Sequence, residues 1–445
     1  MSADAQPHIR NKPKAASSGL AGLLGSVINV GRDILARRRQ AAAEAPSGDL
    51  VTKCRQLLHH RGEASGLALA CEIISDYQRL DDANRQIFFK ALAHEFEAPT
   101  EAVMEAIDAY RAEPTEERLT VIAKAVEAPR AKLFRRMNMA PSATPVLVAL
   151  RGDLLRQLPS HPELRRVDAD LKQQFISWFN RGFLELRVID WHSPAAILEK
   201  IIQYESVHEI QGWEDLRSRL RENRLCFAFF HPAMPDDPLV FVEVALTSGI
   251  PEAITPLLDR NESSGDTKAP DTVVFYSISN CHPGLAGVSF GNFLIKQVIE
   301  EIGKRHPKAN RYVTLSPIPG FCQWLAAQQD TLEIDIHELR STARIEGNDI
   351  PEATRGILLR LCAQYLVNER AGEVAIDPVA RFHLGNGASL HAIHWAADIS
   401  EKGLQQSAGL MVNYLYDLSS IEENHDAYFD QGKIAVSRSV ARLLN

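Results

Sequence analysis

Gly284-Leu285-Ala286-Gly287-Val288-Ser289-Phe290-Gly291-Asn292-Phe293-Leu294-Ile295-Lys296 follows the β-branched run Thr272 to Ile278 and leads into an amphipathic stretch, Phe290 to Ile302. Strand, glycine loop and helix in that order define an α/β unit. Free backbone N–H groups at a helix start, with the positive end of the helix dipole, form an anion site, and small residues let the backbone approach a pyrophosphate. A glycine-rich turn that only reverses the chain has the same appearance. Working outward, Leu225 to Phe230, Leu239 to Leu246, Arg311 to Leu315, Ser389 to Ala397 and Gly409 to Leu418 read as further strands, and Glu352 to Glu369 as a helix. Pro251 to Ala269 and Gly347 to Pro351 read as surface connections. The second half is therefore α/β or α+β.

Upstream, from about residue 50 to 180, apolar positions recur every three or four residues and strand-like alternation is almost absent. Helices are expected over Leu67 to Leu80, from Asp81-Asp82 with Ile87, Phe88, Leu92 and Phe96 on one side, after Pro99-Thr100, and from Pro114-Thr115-Glu116-Glu117. A last one is expected over Leu171 to Phe183, with Phe175, Trp178, Phe179 and Phe183 packed on a neighbour. The expected organisation is a flexible basic tail (1–49), an all-helical domain (50–185) and a mixed-sheet domain (186–445).

The 445 residues carry 49 basic and 57 acidic side chains, a formal charge of −8. That excludes general affinity for nucleic acid or anionic membrane, so a phosphorylated ligand needs a local basic site. Cys54, Cys71, Cys226, Cys281, Cys322 and Cys362 form no Cys-x-x-Cys pair, so neither a zinc site nor a disulfide framework is expected. His391 and His394, three apart on a strand, should face opposite sides of the sheet, again giving no metal pair. No apolar run reaches the roughly 18 residues of a membrane span. Residues 1–49 hold seven Lys/Arg against four Asp/Glu and a short apolar patch, Leu20 to Ile28. An organelle transit peptide has this basic bias but less acid, so the expectation is a cytoplasmic protein with a basic tail.

Two further segments carry candidate chemistry. In Thr314-Leu315-Ser316-Pro317-Ile318-Pro319-Gly320-Phe321 two prolines and a glycine impose a rigid turn that holds Ser316 at a strand end, where its hydroxyl serves either as a turn former or as a substrate anchor and relay. In Asp377-Pro378-Val379-Ala380-Arg381-Phe382-His383-Leu384-Gly385-Asn386-Gly387-Ala388, His383 precedes a Gly-Asn-Gly turn and is expected at a tight bend, suited to proton transfer near neutral pH.

These segments, together with Trp191-His192-Ser193-Pro194 and the following Ile201 to Ile210, Phe241 to Thr247, Phe275 to Ser279 and Gly409 to Tyr416, resemble the malonyl-CoA decarboxylase family in the same order. The resemblance implies a helical domain used in oligomerisation, as a dimer or tetramer, and a GNAT-like catalytic domain. In it Ala286, Gly287, Val288, Ser289, Phe290, Gly291 and Asn292 would meet the coenzyme A pyrophosphate. Ser316 and His383 match the family's catalytic serine and histidine, and Tyr416 matches a tyrosine near the active site. Asn386 and His282 are added as pocket candidates, and Lys304, Arg305 and Arg311 as candidates for the 3′-phosphate. Ser289 departs from the pattern, since some members carry glutamate there. The implied reaction takes malonyl-CoA to acetyl-CoA and carbon dioxide through an enolate that fixed hydrogen-bond donors stabilise, with no metal or organic cofactor beyond the coenzyme A of the substrate. The alternatives are a GNAT-type acyltransferase and a non-catalytic coenzyme A-binding regulatory protein.

Overall fold

The structure, a computed structural model, describes residues 16–41, 49–259, 269–288, 293–328 and 352–445. It divides into two compact units, residues 1–178 with 282–288, and residues 179–281 with 289–445.

The first unit is helical. Its described helices are Ala16–Ala41, Leu50–His59, Glu63–Gln78, Asp82–His94, Thr100–Ala112, Glu116–Val126, Pro129–Met137, Ala143–Gln157 and Arg165–Trp178. Local chemistry sets several starts: the carboxylates of Asp49 and Asp81 accept from the N–H groups of Thr52 and Asn84, both at 2.8 Å, and Pro129 opens its helix where no N–H is needed. Tyr77, Phe88 and Phe89 form one buried aromatic cluster, and Leu147, Leu150, Leu154, Leu171 and Phe175 are fully buried. Each such side chain contributes roughly 1.5–3 kcal/mol on burial.

Three expectations are corrected here. Ile87 is 62% exposed, and Phe89 takes the inward position beside Phe88. The helix expected to run to Phe183 stops at Trp178; Asn180 Oδ1 then accepts from Gly182 N–H at 3.0 Å in a 3₁₀ turn, and Phe183 is half-exposed. Residues 16–41, placed in a flexible tail, form a helix, because Gly31 lets the backbone press on the Ala64 carbonyl and Leu35 is buried.

The second unit is built on a mixed sheet. Its strands are β1 (Glu185–Ile189), β2 (Arg224–Phe230), β3 (Val240–Thr247), β4 (Thr272–Asn280), β5 (Arg311–Thr314), β6 (Ser316–Pro317), β9 (Ser389–His394) and β10 (Met411–Tyr416), with β7 (Arg370–Ala371) and β8 (Val374–Ala375) forming a separate small ribbon. The order is β1-β2-β3-β4-β5-β10-β6, with β9 also pairing β10. Every pair is antiparallel except β4 with β5, the parallel pair joined through the Phe293–Arg305 helix. This is the strand–loop–helix–strand unit expected from the opening stretch. β1 went unread in the sequence because it is a short edge strand in which only Ile189 of five residues is fully buried.

Two core clusters lie side by side on one face of the sheet, since Phe241 of the first and Ala245 of the second are four apart on β3 and pair with Ala228 and Arg224 of β2. Cys226, Ala228, Phe230 and Phe241 pack with Ile197, Leu198, Ile201 and Leu216 of the covering helices, while Ala245, Val274, Tyr276, Val313, Leu315 and Met411 pack with Ile254 and Leu257. The β3–β4 register slips between Glu243 and Val244, which makes Tyr276 the bulged residue.

The β4–β5 ladder ends at Phe275 opposite Thr314, and the Leu315 N–H donates to the Phe275 carbonyl at 3.0 Å. β4 continues to Asn280, whereas the other chain turns away as β6 to pair with β10. Ser316 is the first residue past that parting.

Candidate active site

Ser316, His383 and Tyr416 arrive from three elements: β6, the Pro378–Gly385 helix and β10. Ser316 Oγ lies 3.1 Å from His383 Nε2, and His383 Nδ1 lies 2.8 Å from the Tyr416 hydroxyl. All three are buried. The imidazole is stacked on Tyr414, with ring centroids 4.7 Å apart and planes 24° apart, and meets the edges of Phe382 and Tyr416.

Burial decides the proton positions. It pushes the His383 pKa down to about 3, so the ring is neutral, and it pushes the Tyr416 phenol well above its ordinary value, so the phenol keeps its proton. The tautomer follows from the serine: its one proton goes to Thr314, so Ser316 Oγ accepts from Nε2–H, and the bare Nδ1 accepts the Tyr416 O–H. Ser316 in turn donates to Thr314 Oγ1 at 2.9 Å, an oxygen that also accepts the Tyr414 N–H at 3.1 Å. The result is a directional relay from Tyr416 through His383 and Ser316 to Thr314.

His383 is on the last turn of a helix rather than at a bend. Asp377 caps that helix and Pro378 occupies its first turn, a start signal present in the sequence but not used there. Asn386 is not aimed at the pair: its side-chain NH₂ donates to the Phe382 carbonyl at 2.6 Å, closing the helix end. Lys304 is ion-paired with Glu300 and Glu301, Arg305 with Glu301, and Arg311 with Asp271. These exposed pairs form a charged helix end and a strand-end pair, the alternative to a phosphate role for the three.

Ala286, Gly287 and Val288, with His282, belong to the helical unit. Arg151, 2% exposed, donates to the Gly284 carbonyl at 2.7 Å and the Ala286 carbonyl at 2.8 Å while its Nε pairs with Asp168. Gly284 presses so closely on the Val148 carbonyl that a Cβ would stand 1.8 Å from its oxygen. Gly287 has φ +69°, and a Cβ there would lie 3.0 Å from Lys172 Nζ. A cation thus accompanies the glycine loop, from a helix whose sequence gave no sign of it. Ser289, Phe290, Gly291 and Asn292 lie outside the described residues. Among the described residues no group of three His, Cys, Asp or Glu side chains is arranged to hold a metal, and no helix is long and apolar enough to cross a membrane.

The malonyl-CoA decarboxylase C-terminal domain model matches residues 182–445, and the N-terminal domain model matches residues 96–179. The chain belongs to the malonyl-CoA decarboxylase family. It is accordingly a carboxy-lyase. Mitochondrial malonyl-CoA decarboxylases of Anser anser anser and Rattus norvegicus are 37% and 36% identical, over 69% and 70% of this chain and 68% and 70% of theirs. Crystal structures of malonyl-CoA decarboxylases from Rhodopseudomonas palustris and Agrobacterium vitis are 45% and 46% identical, and both superpose with a TM-score of 0.83. They cover 88% and 89% of this chain and 98% and 100% of theirs. The family is therefore matched in both the helical and the mixed-sheet parts of the chain.

Proposed function

We propose that the chain converts malonyl-CoA to acetyl-CoA and carbon dioxide at the Ser316–His383–Tyr416 cluster. The observation that carries this is the buried relay itself, which holds a neutral imidazole with its Nε2 proton aimed at the serine at the parting of β4 and β5.

Breaking the bond to the carboxylate releases carbon dioxide and leaves an electron pair that the thioester carbonyl accepts as an enolate. The thioester is the electron sink, so the reading needs no metal or organic cofactor. Donors fixed in a water-poor pocket stabilise the enolate oxygen by about 3–4 kcal/mol each. In this reading Ser316 orients the malonyl carboxylate and the imidazole, and His383 Nε2–H first polarises the carbonyl oxygen. That proton then passes to the α-carbon, a far weaker acid than an imidazole, while the Tyr416 proton follows onto Nδ1; a solvent proton taken up at Nε2, with return of the Nδ1 proton to Tyr416, restores the starting state. One proton is consumed per turnover, and the ring never carries the positive charge that burial opposes.

Ala286, Gly287 and Val288, with Lys172, are assigned to the coenzyme A pyrophosphate, supported by the left-handed Gly287 and the adjacent ammonium. Self-association is assigned to the helical unit, where Met104, Leu119, Val121 and Val126 are exposed on two neighbouring helices. Light scattering checks that assignment.

Incubation with malonyl-CoA alone, following acetyl-CoA by chromatography and trapping carbon dioxide, tests the activity. Turnover without an acceptor is expected; a requirement for an amine acceptor would make it an acyltransferase, and binding without turnover a regulatory protein. His383→Ala should lower kcat by about a hundredfold or more, with a smaller loss for Ser316→Ala. A stable acyl-enzyme on Ser316 would contradict the noncovalent role.

A further inference from the structure

We propose that Asp377 is the positioning residue that sets the distance between Ser316 and His383, by clamping the turn after the serine to the helix that bears the histidine. Its carboxylate is 1% exposed, and each oxygen serves a different element. Oδ1 accepts the N–H groups of Val379 at 2.9 Å and Ala380 at 3.0 Å, capping the Pro378–Gly385 helix. Oδ2 accepts the Gly320 N–H at 3.3 Å and the Tyr365 hydroxyl at 3.2 Å.

Gly320 ends the Ser316-Pro317-Ile318-Pro319-Gly320 segment, whose two prolines leave little freedom between the serine and the clamped amide. A Cβ on Gly320 would stand 2.2 Å from the Tyr365 hydroxyl, so the turn is seated directly on the Tyr365–Asp377 pair. Tyr365 lies on the Glu352–Val367 helix, its ring packed against Phe321 and Trp324 just beyond the turn. The serine segment is thereby fixed twice to the histidine helix, once at the Ser316–His383 hydrogen bond and once at Asp377.

A helix cap alone would be served by serine or asparagine. Asp377 is needed because its second oxygen must accept as well. In Asp377→Asn one atom of the amide is a donor, and it faces either the cap N–H groups or the Gly320 N–H, so either the helix cap or the hold on the serine turn is lost, even where the Tyr365 hydroxyl turns to accept.

The proposal rests on the reading that Ser316 and His383 carry the chemistry, and the test separates the two. Malonyl-CoA turnover is measured for Asp377→Asn, Gly320→Ala, Ser316→Ala and His383→Ala, with ¹⁵N NMR of the His383 ring in the wild type and the first two variants. Asp377→Asn should lower kcat about 10- to 100-fold with KM within about threefold, as expected for a misplaced catalytic pair. Gly320→Ala, which pushes on the clamp from the other side and leaves Asp377 intact, should do the same and stands in if the first variant does not fold. Both should shift the Nε2 resonance. Near-wild-type kcat in a folded clamp variant, with Ser316→Ala and His383→Ala impaired, overturns the role of Asp377. If Ser316→Ala and His383→Ala are fully active, the reading of the site fails instead, and an unshifted His383 ring spectrum in Asp377→Asn or Gly320→Ala overturns the clamp on its own.

Discussion

Protonating His383 should destabilise the catalytic unit, and the size of the effect follows from its burial. The ring titrates near 6.5 in an unfolded chain, and burial lowers that to about 3 in the fold. The folded form therefore binds fewer protons than the unfolded one over this interval. Stability is fully present above about pH 6.5 and falls with decreasing pH, by about 1.4 kcal/mol per unit, toward a limit of about 5 kcal/mol near pH 3. Between pH 6.5 and 5 the loss should be about 2 kcal/mol. Replacing His383 by Gln removes the titrating group, so its stability should decline less steeply with acid by that amount. His208, pushed down to about 4 by its own burial, is present in both proteins and cancels in the difference. Four of the five tryptophans, Trp191, Trp213, Trp324 and Trp395, lie in the second unit, so urea unfolding followed by tryptophan fluorescence reports mainly on the unit that holds the site. Parallel stability curves for wild type and His383→Gln from pH 5 to 7.5 would refute the neutral, buried imidazole. The same protonation state means that His383 imposes no acid limb on kcat/KM between pH 5 and 8.

Three other changes have defined outcomes. Glu243 is raised to about 8, first by burial and then by the Glu205 carboxylate, with Arg219 opposing; its folded pKa exceeds its unfolded one, so stability is lost as pH rises from about 4.5 to 8, and Glu243→Gln should flatten that loss in calorimetric Tm. Identical Tm profiles would count against a protonated Glu243. Tyr416→Phe keeps the ring but leaves Nδ1 without its donor, so kcat should fall at least about tenfold with KM little changed, and unchanged turnover would remove Tyr416 from the relay. Gly284→Ala drives a Cβ into the Val148 carbonyl, which cannot swing aside as a side chain would; a loss of about 1–3 kcal/mol is expected in thermal unfolding, and a wild-type Tm would refute the close packing.

The strands were legible because a sheet covered on both faces reads as unbroken apolar runs; β3 and β4 are buried almost throughout and were placed within two residues. Ser316 and Tyr416 were legible through the family pattern, and His383 with them, although its helix was read as a bend. Asp377 and Thr314 stood inside segments already quoted, but their importance comes from contacts across the chain, to Gly320 and Tyr414, that spacing does not encode. Arg151 and Lys172 were hidden further still, since a basic residue in an amphipathic helix looks solvated until its partner loop, more than a hundred residues away, is placed beside it.

Tyr414 is the instructive omission, because the rule that finds it was already in use. Residues two apart on a strand share a face, so Val412 and Tyr414 of β10 lie on the same side as Tyr416. All three serve the site: Val412 pairs with Ser316, Tyr414 lies against the His383 ring and gives its N–H to Thr314, and Tyr416 donates to Nδ1. Asn413, on the opposite side, donates to the Thr314 carbonyl at 2.8 Å and bonds His394. β10 thus holds β5, β6 and the histidine helix to one ruler, with a step of two residues. A single-residue slip of this strand would exchange Asn413 for the tyrosines and dismantle the relay at all three points. The precision of the site is a property of strand register, and side chains from three elements are aligned by one strand.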